Sequence, residues 1–179
     1  MKKLTRKNFI IIALAITLTA GICIFLKIYN EKKYIKEAKS AVAEILITSS
    51  LSETITEFYG TVWKNAIFSE GAYYNSESPY YRKGFNEALV IAQVEMEDNI
   101  KILNSEKSKL ETSLRKLNSY PQKYKELHNS ILKLYGYASE YISLGISPSG
   151  SFQTFAEKRR ELSSEIMKLS SELNIQLPK

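Results

Sequence analysis

At 179 residues the chain has room for one domain and an appendage, and 44% hydrophobic with 25% charged residues exclude wholesale disorder. One Cys and one His exclude a disulfide framework and any metal site built from several Cys or His, and seven Gly with four Pro are too few for the turns of a β-sandwich. The formal charge of +6 is carried mostly by Lys2, Lys3, Arg6, Lys7 and Lys27; residues 30–179 hold 20 Lys and Arg against 19 Asp and Glu, so the basic face that nucleic-acid binding needs is missing and no nucleic-acid partner is expected.

The five basic residues flank Phe9–Leu26, a run of 18 residues without one charge. As a helix it would extend about 27 Å, close to the hydrocarbon thickness of a bilayer. Three readings compete for it. A cleaved signal peptide has a shorter core, and a cut after Thr19-Ala20-Gly21 would leave five apolar residues, Ile22 to Leu26, at the start of the mature chain. A lipoprotein signal wants a small residue before Cys23, where Ile22 stands. The uncleaved anchor is therefore favoured: residues 1–8 a basic N-tail, 9–29 a transmembrane signal-anchor contacting the lipid bilayer, and 30–179 the body. Lys27, Lys32, Lys33, Lys36 and Lys39 follow the span, so the positive-inside count is close to a tie. The short, highly basic tail favours a body outside the cytoplasm.

The body reads as all-α, an antiparallel four-helix bundle of a long hairpin and a shorter one, coiled-coil-like. Helices are expected at about 30–69, 79–119, 121–144 and 151–176. In the first, Ile35, Ala38, Val42, Ile45, Ser49, Ser52, Thr56, Tyr59, Trp63 and Ala66 keep helical spacing. Hydroxyls fall on that seam between Thr48 and Thr56. They either bond back to the preceding turn or form a polar notch that holds water or a ligand; back-bonding is the commoner outcome. Ser78-Pro79 starts the second helix, whose seam runs from Phe85 to Leu117, and Val90, Ile91 and Val94 widen its apolar arc toward a second neighbour. Pro121 suits the first turn of the third, whose seam is Tyr120, Tyr124, Leu127, Ile131, Leu134, Ala138 and Tyr141, with Gly145 and Pro148 closing it. Ser151 caps the fourth, with a seam of Phe152, Phe155, Arg159, Leu162, Ile166, Leu169 and Leu173. On these lengths the short hairpin covers only the membrane-proximal part of the long one, and the region from Tyr59 to Phe85 overhangs by about 15–20 Å.

Chemistry-bearing motifs are missing. His128 lies beside a seam and reads as structural, Glu95, Glu97 and Asp98 read as a solvated face, and Arg159 reads as a residue that snorkels or pairs with a carboxylate such as Glu53 or Glu87. There is no nucleophile elbow, phosphate loop or dinucleotide fingerprint, so no enzyme and no cofactor are expected. Nine of 20 aromatic residues lie between Phe58 and Phe85. Trp63, Phe68, Tyr73, Tyr74, Tyr80 and Tyr81 are the candidate surface for a protein partner, because Tyr and Trp combine large contact area with a polar tip. The competing reading packs the helical rings onto Tyr135, Tyr137, Tyr141, Phe152 and Phe155. Twenty Lys against five Arg is the usage of a low-GC bacterial genome. The expectation is a membrane-anchored, non-catalytic binding or scaffolding module at the cell surface. A sensor or carrier using the notch is the alternative, and seams with uncovered arcs are also compatible with pairing between chains.

Overall fold

The computed structural model describes residues 6–68 and 85–178, with side-chain surroundings for 17–67 and 87–178. Among the described residues all regular structure is helical: α1 (Arg6–Phe68), α2 (Phe85–Glu95), α3 (Glu97–Lys116), a 3-10 turn at Gln122–Tyr124, α4 (Lys125–Ile146) and α5 (Phe152–Gln176). α1 is one unbroken helix of 63 residues, about 95 Å long at the standard rise. The apolar run and the first body helix are therefore segments of the same rod. Among the described residues no helix is long and apolar enough to cross a membrane; the side chains of Phe9–Ile16, eight of the 18 residues of the apolar run, lie outside them.

Cross-helix pairs fix the arrangement. At one end of the bundle Lys123 pairs with Glu31 and Tyr34 stacks on Tyr124, so α4 starts beside residue 34 and runs with α1. Ser163 donates to Glu53 at 3.0 Å and Phe155 meets Trp63 edge-on at 4.7 Å, so α5 runs against α1. α2 and α3 return alongside α1, and the up-down-up-down order follows from the connections at 117–124 and 147–151. The core is the set of seams: Ile45, Ile55, Leu103, Leu110, Ile131, Leu134, Ile142 and Leu162 are all fully buried, each such aliphatic side chain worth about 1.5–3 kcal/mol.

Four details differ from the sequence expectation. The long second helix is interrupted at Met96 (φ −91°, ψ 6°), although Met96 N–H still donates to Ala92 O and Ile100 N–H to Met96 O. No Gly or Pro marks the break. Glu97 and Asp98 occupy the new first turn, and Arg115 and Lys116 the last, which suits the helix dipole at both ends. The start predicted at Pro79 lies outside the described residues. In the third helix, Pro121 opens the 3-10 turn rather than the α-helix, which begins at Lys125.

Gly145, expected with Pro148 to close that helix, lies one residue inside its end at Ile146, where α4 packs against α1. A Cβ there would stand 3.2 Å from Leu103 Cδ2 and 3.7 Å from Ser52 Cα. The actual turn uses Gly150 at φ +94°, followed by Ser151 and Thr154 in a reciprocal capping box. Finally, the short hairpin reaches farther than its length suggested. The Ser163–Glu53 register places the end of α5 level with about Ser40, displaced toward the far pole, so Phe155 covers Trp63 and the expected overhang at Tyr59 is absent.

Candidate interaction surfaces

The hydroxyl-rich stretch of α1 is closed. Thr48, Ser49, Ser52 and Thr56 are all buried. Thr48 donates to Glu44 O (2.7 Å), Ser49 to Ile45 O (2.7 Å), Ser52 to Thr48 O (2.9 Å) and Thr56 to Glu53 O (3.0 Å). Each hydroxyl thereby takes up a carbonyl of its own helix, the arrangement that spares a buried donor its desolvation cost. The absent Cβ of Gly145 lets α4 lie directly on Ser52. Tyr141 faces Thr56 from α4, but its own hydroxyl makes no well-formed hydrogen bond, and burial raises its pKa.

At the far pole Trp63 is 1% exposed and belongs to the core, held by the edge of Phe155. Tyr59 beside it is fully buried, and burial pushes its phenol up to about 12. Trp63 is thus unavailable as a contact surface in the folded chain, since the displaced α5 covers it. The side chain of Phe68 and the residues Tyr73, Tyr74, Tyr80 and Tyr81 lie outside the described residues. Ile67, Val90 and Val94 are exposed near this pole. The widened arc at Val90 and Val94 therefore faces away from the other described helices instead of meeting a second one.

The opposite pole carries a cluster that joins Tyr120 and Tyr124 of the third-helix seam to Tyr34 and His128, which the seams did not include. Tyr34 stacks on Tyr124 at 5.3 Å, and Tyr120 stacks on His128 at 4.1 Å. Tyr34 and Tyr120 come together because an antiparallel bundle returns the 117–124 turn to the start of the body, so topology more than any local motif was the available signal. Burial, with Tyr120 and Tyr124 alongside, pushes the Tyr34 phenol up to about 12.

His128 is 8% exposed and its Nδ1 has no hydrogen-bond partner. Loss of water disfavours the imidazolium and lowers its pKa below the usual 6.5. The unfolded chain then binds a proton near the ordinary value while the folded chain does so only at lower pH. This contribution to stability is full above pH 6.5 and is lost as pH falls from there through the lowered folded-state value. The melting temperature should drop between about pH 7.5 and about pH 5, and His128→Gln should flatten part of that slope. An unchanged slope in the variant would remove His128 as the cause.

Arg159 lies with Arg160 beside Glu53, Glu57 and Tyr141 in a shallow groove between α1 and α5. Glu97 and Asp98 are exposed and share Lys101 at 2.9 and 3.3 Å, which is a solvated face. Among the described residues no group of three or more His, Cys, Asp or Glu side chains could hold a metal ion. Before the bundle begins, Leu18, Ile22, Ile24, Phe25, Leu26, Ile28 and Tyr29 are all exposed and spread over somewhat more than half of the circumference of α1. No family model, curated protein or solved structure matches this chain.

Proposed function

We propose that the chain is a membrane-anchored helical bundle, a non-catalytic binding or scaffolding module whose anchor, residues 9–29, runs without interruption into the body. The reading is carried by the bare apolar stretch of α1. From Leu18 to Tyr29 exposed large apolar side chains cover somewhat more than half of the helix circumference, with the small exposed Ala20 and Cys23 on the remaining side, a pattern that suits contact with lipid. The short basic tail favours a cell-surface location with the bundle outside the cytoplasm. The far pole is then the end presented to a protein partner. Its support is the exposed Ile67, Val90 and Val94 together with the tyrosine-rich sequence at 73–81. The carrier alternative is weakened because the hydroxyls it would use are already bonded to their own helix.

Two arms test the proposal in cells. The full chain should stay in the membrane pellet after alkaline carbonate extraction, with its N-terminus intact, and Cys23→Ser should stay there too. Release of the chain, or a mature start at Ile22 or Cys23, would defeat the anchor. Replacing Tyr73, Tyr74, Tyr80 and Tyr81 by Ser should leave the melting temperature within about 1 °C and abolish partner capture. A stable variant that still captures the partner moves the contact off this segment.

A further inference from the structure

Two open grooves flank α1 where it leaves the bundle. One, of about 610 Å³, is walled by Lys32, Lys33, Lys36 and Lys116 over Tyr29. The other, of about 600 Å³, includes Lys27, Lys33, Lys116 and Tyr120 and continues down to Cys23 and Leu26. Lys33 and Lys116 line both, so the grooves are two sides of one collar. It gathers five lysines against two glutamates, Glu31 and Glu37, and Glu31 is taken by Lys123. Among the described residues no ion pair engages Lys32, Lys33, Lys36 or Lys116. A body that is nearly neutral overall thus concentrates uncompensated positive charge at one pole.

The position of the collar points to its ligand. Immediately below it Leu26, Phe25 and Ile22 are bare, and the change from apolar to basic falls between Leu26 and Lys27. From Lys27 to Lys33 the helix rises about 9 Å, comparable to the polar layer on one face of a bilayer. Tyr29 and Tyr120 have the apolar body and polar tip that suit this depth. A free phosphate would need only the lysines. The groove that Lys27, Lys33 and Lys116 line instead runs on to Cys23 and Leu26, as a molecule with a charged head and an apolar tail requires.

We infer that this collar binds the phosphodiester headgroup of an anionic phospholipid, with Lys32, Lys33, Lys36 and Lys116 as the cationic wall and the Cys23–Leu26 side, reached past the shared Lys33 and Lys116, receiving the start of an acyl chain. The inference rests on the anchor proposed above, which brings the collar to headgroup depth.

The test uses the full chain with vesicles of phosphatidylcholine alone and of an equimolar mixture with phosphatidylglycerol, reading lysine acylation by mass spectrometry. In the mixed vesicles Lys32, Lys33, Lys36 and Lys116 should react at least about threefold more slowly than in phosphatidylcholine, while Lys133 and Lys168 stay unchanged. The variant with Lys32, Lys33, Lys36 and Lys116 all changed to Gln should lose the immobilised component of spin-labelled phosphatidylglycerol seen with the parent chain. Equal lysine reactivity in the two vesicles overturns the collar and leaves the anchor standing. Association with the mixed vesicles alone, with the lysines protected, supports the collar and overturns the anchor, whereas association with neither overturns both. Protection reproduced by glycerol 3-phosphate in solution, over phosphatidylcholine vesicles, overturns the lipid assignment in favour of a soluble phosphate.

Discussion

Leu134→Asp should abolish the cooperative thermal transition of the bundle. Leu134 is fully buried on the seam of α4, between Ile131 and Ala138, which are fully buried as well. An unpaired carboxylate there costs several kcal/mol or forces its own protonation, against a total stability of about 5–15 kcal/mol for a domain. The conservative change Leu134→Met keeps the volume and should cost less than about 1.5 kcal/mol. Circular dichroism melting of the two variants beside the parent chain checks this. A parental melt for Leu134→Asp would mean that the α4 seam does not face the core.

Trp63→Ala should cost about 3–5 kcal/mol, the range for removing a large buried aromatic. The ring is 1% exposed and its partner Phe155 equally so, in an edge-to-face contact. Such a pair contributes about 0.5–1.5 kcal/mol beyond its buried area, so Trp63→Ala and Phe155→Ala combined should cost less than the sum of the two. Denaturant unfolding of both single variants and the double variant measures the coupling. Should Trp63→Ala be neutral, the ring is not part of the core and returns to the candidate partner surface.

The middle of each seam was legible, while ends such as Ile35, Ala66, Tyr120 and Phe152 are only half-buried. Ala38, Val42, Ile45, Ser49, Ser52, Thr56, Tyr59 and Trp63 are all buried, as are Leu127, Ile131, Leu134, Ala138, Tyr141 and Gly145. A helical period reports which face packs, because burial of one stripe is what selects the residues along it. Axial register between helices leaves no such trace. α5 could slide along α1 with the same faces in contact, and the slide decides whether Trp63 is covered. The interruption at Met96 was equally invisible, since the sequence there has ordinary helix formers and both flanking hydrogen bonds survive. The lysine collar is assembled from α1 and Lys116, 80 or more positions apart in the chain, so it exists only once the long hairpin is closed.

The continuity of α1 has a mechanical consequence. From Asn30 to Phe68 the helix extends about 57 Å with no interruption. Given the proposed anchor, the bundle cannot swivel on a linker and must follow the tilt of its own span. Bilayers of different thickness set different tilts, and a change of about 10° would carry the far pole roughly 10 Å sideways. The bundle then behaves as a pointer whose tip amplifies small rearrangements in the lipid beneath it. A rigidly attached fluorescent probe at the exposed Lys64 that keeps the same orientation to the membrane normal in thin and thick bilayers would show that the rod bends instead.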